Sequence, residues 1–127
     1  MSIIQVALYS ALSLITLALP LITTQVSVSG QWRSENAGIV IVLNLQTQGR
    51  TVTGTVREGS GASSAIFEGN VSGYALSFTT DAQLNGTPVT VIWTGNLEDD
   101  GFTMTRVMQL PDGSIRKLLG VFKFLRN

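Results

Sequence analysis

The sequence contains no cysteine and no histidine. Without cysteine the chain forms no disulfide and offers no thiolate as a nucleophile or metal ligand. Without histidine it lacks the commonest metal ligand and the commonest general base near neutral pH. Acid–base catalysis would have to depend on Asp, Glu, Lys or Tyr alone. The composition therefore predicts a protein that is not an enzyme and that holds no metal and no other cofactor.

Charge is scarce and balanced, with 8 Lys and Arg against 8 Asp and Glu in 127 residues. Proteins that bind the phosphate backbone normally carry a basic excess, so the sequence argues against a nucleic-acid partner. All of these charges lie from Arg33 onward. The first 32 residues are therefore a distinct, uncharged segment.

The uncharged segment contains a mostly apolar run over residues 3–22, which is long enough to span a bilayer. Pro20 and the small polar residues after it resemble the end of a signal core, and Ser27 and Ser29 place small residues where a signal peptidase reads. No Lys or Arg precedes the run, which favours an uncleaved anchor instead. We expect residues 1–29 to be the signal peptide of a secreted or periplasmic protein, with a membrane anchor as the alternative. A membrane is expected as a partner only in the second case.

From Gly30 onward, apolar residues recur with a period of two, and Gly, Asn, Asp and Ser punctuate the runs. The connections are short enough for sequential antiparallel pairing, and closure removes the free edges of such a meander. Residues 30–127 are therefore predicted to form one all-β domain, an up-and-down barrel of about eight strands. A two-sheet sandwich is the alternative. The predicted strands cover residues 30–35, 39–46, 51–57, 65–71, 74–80, 89–97, 102–110 and 115–126, and residues 81–88 are predicted to be a loop.

The same alternation assigns the residues that face the interior. Their large side chains favour an interior filled by the protein itself, and the alternative is a cavity for one small ligand. Arg106 also faces inward, where a guanidinium needs a partner. That partner is predicted to be a backbone carbonyl, an acid such as Glu68, or the anionic group of a ligand. The walls of a ligand cavity would be Leu43, Phe78, Trp93, Met104, Met108 and Phe122.

The outer face of the last two strands is less polar than the rest of the exterior. Four apolar residues are predicted to lie there together, and exposed apolar clusters often mark a partner surface. We therefore predict a homodimer that forms through this face. The four residues are Val107, Leu119, Val121 and Leu125.

Two features resemble the calycin group, which includes lipocalins, fatty-acid-binding proteins and avidins. The first is Gly30-Gln31-Trp32 at the start of the first strand, and the second is Arg126 near the end of the last. The resemblance implies that Gly30, Trp32 and Arg126 close one end of a barrel, with the guanidinium stacked on the indole. The middle of the chain is also similar to small exported bacterial proteins of unknown function, through segments such as Trp93-Thr94-Gly95-Asn96-Leu97.

These observations lead to three hypotheses for the function. The first is a non-enzymatic exported barrel that binds a small apolar or amphipathic molecule, with Arg106 as an anchor for an anionic group. The second is a module that binds or inhibits another protein through its loops or outer face. The third is an envelope-anchored structural protein, if the N-terminal segment is retained. Calycins include transporters, inhibitors and enzymes, so the fold does not choose among these functions.

Overall fold

The computed structural model describes residues 26–127. The apolar run over residues 3–22 lies outside the described residues, so the signal peptide or anchor stays a prediction. The predicted segment 1–29 overlaps the described residues at 26–29, where Val28 is 1% exposed in the barrel core, so a cleavage that keeps this packing lies before Val28. Within residues 26–127, the structure contains no helix long and apolar enough to cross a membrane.

The described residues form a closed barrel of eight antiparallel strands. Each strand pairs with the next along the chain, and the last strand returns to pair with the first. The predicted up-and-down barrel is thus confirmed, and the sandwich alternative was wrong. The strands are β1 (Gly30–Asn36), β2 (Ile39–Gln48), β3 (Thr51–Glu58), β4 (Ser64–Ser72), β5 (Ala75–Leu84), β6 (Thr87–Glu98), β7 (Gly101–Gln109) and β8 (Ile115–Arg126).

The predicted loop over residues 81–88 is instead a tight hairpin between β5 and β6. Asn85 (φ 51°) and Gly86 (φ 81°) both have positive φ, which a two-residue turn between twisted strands requires. Pro88 lies in β6 opposite Gln83. The ladder between β6 and β7 ends at Thr90, so Pro88 has only one partner strand and its missing N–H breaks no second ladder.

A register shift separates Arg106 from Val107 in the pairing of β7 with β8. Arg106 pairs with Gly120 and Val107 pairs with Leu118, so Leu119 has no cross-strand partner. Leu119 packs against the core. The prediction that it lies on the outer face was wrong, because a bulge changes the side to which the bulged residue points.

An aromatic column fills much of the barrel. Trp32 meets Phe102 edge-on with ring centroids 4.8 Å apart, and Phe102 stacks on Phe124 at 5.3 Å. Phe124 lies 6.5 Å from Trp93, which stacks on Phe78 at 5.4 Å. Each of these rings is at most 6% exposed. Burial of such rings is the main stabilising contribution in an interior of this kind.

Trp32 and Arg126 lie together at the end of the barrel where β1 meets β8, as the resemblance implied. They pair across the seam, and the Arg126 Cζ lies 4.2 Å from the centroid of the indole ring. The Trp32 Nε1–H donates to the Val28 carbonyl (2.9 Å), and Arg126 Nη1 donates to the Ser29 carbonyl (2.7 Å). Gly30 has a φ of 135°, which disfavours any side chain, and a Cβ there would lie 2.2 Å from Arg126 Nη1 and would displace the guanidinium. We call this the closed end of the barrel.

Candidate functional site

The end of the barrel opposite Trp32, which we call the Arg106 end, contains a charged side chain among aromatic rings. Arg106 lies on β7, and its side chain is only 12% exposed. Its Cζ lies 4.7 Å from the centroid of Phe122 and 5.2 Å from that of Trp93. Gly120 is opposite Arg106 on β8, and a Cβ there would lie 3.0 Å from the Phe122 ring. Glycine at this position therefore leaves room for the ring that supports the guanidinium.

The anion that neutralises Arg106 is the carboxylate of Glu58. Arg106 Nη1 and Nη2 donate to Glu58 Oε2 and Oε1, each over 3.2 Å. Glu58 is the last residue of β3, and it pairs with the fully buried Ile41. The alternation through Val52 and Val56 turns its side chain toward the interior at the rim, where 49% of the side chain remains exposed.

The contact with Glu58 leaves one nitrogen of the guanidinium, Nε, without a hydrogen-bond partner. Arg106 Nε is buried and makes no hydrogen bond within the described residues. A buried donor without a partner costs free energy, so the internal ion pair satisfies Arg106 incompletely.

A cavity of about 140 Å³ opens beside this ion pair. Its apolar wall includes the indole of Trp93, and its polar lining includes the hydroxyl-bearing residues Ser64 and Thr80 and the carboxylate-bearing Asp81. Trp93 Nε1 donates to Thr80 Oγ1 (3.1 Å), which fixes the indole against the cavity. The complete lining is Val56, Glu58, Ala62, Ser64, Thr80, Asp81, Ala82, Val91, Trp93 and Arg106.

The structure brings only two of the seven predicted ligand-binding residues to this cavity, Trp93 and Arg106. Leu43, Phe78, Met104 and Phe122 are packed in the core, each at most 2% exposed, and Met108 is half-buried on β7. Within the described residues, Leu43, Phe78, Met104 and Phe122 therefore belong to the packed core and do not line the cavity beside Arg106.

Sequence reasoning missed Glu58, Ser64 and Thr80 as neighbours of Arg106, and it suggested Glu68 as the acid. Glu68 instead has a positive φ of 53°, next to register shifts in both ladders of β4. The signal for Glu58 was present, because the alternation of β3 continues one residue past the predicted strand end. The signal for Thr80 was also present, because Thr80 lies two residues after the buried Phe78 on β5 and therefore faces the same side.

Three of the four residues predicted for a dimer surface remain candidates. Val121 and Leu125 on β8 are 49% and 46% exposed, and Val107 on β7 is half-buried. Leu119 is excluded from this surface because it packs against the core. The homodimer stays a prediction.

A second charged cluster lies near the closed end, on the turn between β6 and β7. Lys123 Nζ donates to Glu98 Oε1 and to Asp100 Oδ1, the latter over 2.8 Å. The hydrogen bonds from Lys123 hold the pKa of both carboxyls below their usual values, and they raise the pKa of Lys123. No group of three or more candidate metal ligands occurs within residues 26–127. Ion pairing on a solvated turn accounts for the cluster.

No protein-family model, no curated protein and no solved structure matches this chain. The strand number and the connectivity of the barrel are compatible with a calycin-like fold. That compatibility concerns the fold alone, so the function has to be argued from the chemistry of the Arg106 end.

Proposed function

We propose that this protein is an exported, non-enzymatic binding barrel whose ligand is a small organic anion held at the Arg106 end. The observation that carries the proposal is the cavity of about 140 Å³ bordered by Arg106 and Trp93. A pocket that combines an apolar wall with a few convergent polar groups is the usual form of a small-molecule site.

The volume of the cavity limits the size of the ligand. Drug-sized ligands occupy pockets of about 300–1,000 Å³, whereas an engineered apolar cavity of about 150 Å³ accepts benzene. The cavity of about 140 Å³ therefore holds a group of about the size of one ring. The predicted ligand, a small apolar or amphipathic molecule, is thereby narrowed to one whose bound part is a small aromatic or branched group.

The charges at the rim indicate which groups the ligand carries. Arg106 offers a planar guanidinium, which binds a carboxylate through two parallel hydrogen bonds. Asp81 also lines the cavity and is an acceptor, so it favours a ligand with a hydroxyl or amino group at its outer end. The combination fits a small aromatic acid that bears a second, donating group.

The absence of histidine and cysteine supports a binding role over catalysis. Export is supported by the uncharged apolar run over residues 3–22. Intact-mass measurement on protein from the native host tests export, because a cleaved leader leaves a shorter chain.

Binding is tested by titrating the protein with benzoate, 4-hydroxybenzoate, benzamide and benzylamine while the indole N–H resonance of Trp93 is followed by NMR. The proposal expects saturable shifts with the two acids, the larger affinity for 4-hydroxybenzoate, and no binding of the neutral amide. Arg106→Met, which removes the charge and keeps an apolar side chain, should abolish binding while the protein stays folded. Glu35→Gln, a change on the exterior at a side chain that is 65% exposed, is the matched control.

Two results would contradict the proposal. Preferential binding of benzylamine would mean that Glu58 and Asp81, and not Arg106, select the ligand. Unchanged affinity for the acids in Arg106→Met would place their binding elsewhere on the protein.

A further inference from the structure

We infer that Glu58 occupies the position of the ligand's carboxylate, so that ligand binding requires Glu58 to leave Arg106. The inference rests on the proposed function. It adds an internal competitor for Arg106, and this competitor sets the affinity for the ligand's carboxylate.

The contact has the geometry with which a free carboxylate binds arginine. The two Glu58 oxygens accept separate hydrogen bonds from the two Nη atoms, both at 3.2 Å. Such paired bonds require an anion that presents two oxygens side by side, as the Glu58 carboxylate does here. The position beside Arg106 is therefore shaped for a carboxylate.

The two partners differ in how easily they can move. The side chain of Arg106 is 12% exposed and packs over the rings of Trp93 and Phe122, so it has little freedom to move. Glu58 is 49% exposed at the end of β3, and the chain continues into exposed residues that begin with Gly59 (φ 60°). The Glu58 backbone remains paired with Ile41 when its side chain rotates into solvent. Release of Arg106 therefore needs a change of side-chain rotamer and no break in the barrel.

Solvation also favours direct replacement of Glu58 by a ligand carboxylate over a state in which Arg106 has no anion. When Glu58 rotates outward it recovers its hydration, but a largely buried guanidinium without an anion is costly. An incoming carboxylate removes that cost. The apparent affinity of the site equals its intrinsic affinity multiplied by the fraction of molecules in which Arg106 is free. If that fraction is about one in ten to one in a hundred, removal of the Glu58 charge strengthens carboxylate binding about ten- to a hundredfold.

The experiment compares the wild-type protein with Glu58→Gln, Glu58→Ala and the double variant Glu58→Gln/Arg106→Met. Benzoate affinity is measured by calorimetry at constant ionic strength, with Glu35→Gln as the control for a lost carboxylate on the exterior. We expect Glu58→Gln to bind benzoate at least about tenfold more tightly than the wild type, Glu35→Gln to match the wild type, and the double variant not to bind.

A second measurement does not depend on benzoate. Glu58→Ala leaves Arg106 without an anion, so sodium acetate should raise the melting temperature of this variant more than sodium chloride does at equal ionic strength. The wild type should respond equally to the two salts. If Glu58→Gln does not fold, Glu58→Ala is used in its place to test the competition, because added acetate replaces the missing carboxylate during refolding.

The outcomes separate this inference from the proposed function. Equal benzoate affinity in the wild type and Glu58→Gln, with no specific effect of acetate on Glu58→Ala, overturns the competition by Glu58 and leaves the proposed binding at Arg106 intact. Tighter binding by Glu58→Gln together with rescue by acetate supports the inference, even where the wild type binds benzoate too weakly to measure. Tight binding that persists in the double variant overturns it, because Arg106 would then not be the receptor of the carboxylate.

Discussion

Replacement of Trp32 by alanine should be among the most damaging single changes in this barrel. The indole is 6% exposed, it meets Phe102 edge-on at 4.8 Å, and it lies under the Arg126 guanidinium. Loss of a large buried aromatic side chain costs about 3–5 kcal/mol. The lost hydrogen bond to the buried Val28 carbonyl adds to this cost, so we expect a value in the upper part of that range.

Trp32→Phe is the matched control. It keeps most of the apolar contact with Phe102 and loses the N–H that donates to Val28, so we expect a loss of about 1–2 kcal/mol. Both variants leave Trp93 as the single tryptophan, because the chain contains 2. Urea unfolding followed by far-UV circular dichroism and by Trp93 fluorescence gives the free energy of unfolding from two independent signals.

The reasoning would be refuted by a loss of less than about 1.5 kcal/mol in Trp32→Ala, which is ordinary for a surface or loosely packed site. It would also be refuted if Trp32→Phe and Trp32→Ala were equally destabilised. The ring contact with Phe102, which only Trp32→Phe keeps, would then contribute nothing to the stability of the closed end.

Two further predictions concern a glycine and a charged cluster. Gly54→Ala should destabilise the protein by at least about 2 kcal/mol, because φ is 146° and its Cβ would lie 1.8 Å from a backbone oxygen of β2. Gly49→Ala, in an open turn, should cost only about 1 kcal/mol in the same urea experiment, and equal losses would contradict the argument. Lys123→Met should raise the pKa of Glu98 toward 4.5 and that of Asp100 toward 3.8, as measured by NMR titration. Unchanged pKa values would show that Lys123 does not lower them. Because these folded-state pKa values are lowered, the ion pairs stabilise the protein above the ordinary carboxyl pKa values, and this stabilisation is lost as the pH falls through the lowered values. The variant should therefore lose less stability on acidification.

The local alternation of the sequence was sufficient to predict the number, order and pairing of the strands. A period of two assigns each side chain to one face, and short connections leave sequential antiparallel pairing as the simplest arrangement. The inward positions of Trp93 and Arg106 follow from the same rule. Strand ends were less well predicted, because the length of a strand depends on how far its pairing with the neighbouring strand continues. Glu58 was left out of β3, and the Asn85-Gly86 turn was placed inside a longer loop, for this reason.

Tertiary structure alone decided what fills the barrel and which acid meets Arg106. The packing of the interior depends on side chains from all eight strands, so no single strand shows that the aromatic residues pack together or that a cavity of about 140 Å³ lies beside Arg106. Glu58 and Arg106 are 48 residues apart, and they meet because the closed barrel places the end of β3 across from β7 at the same rim. The bulge that turns Leu119 inward likewise depends on the register between β7 and β8, which is a property of the paired strands and not of either sequence by itself.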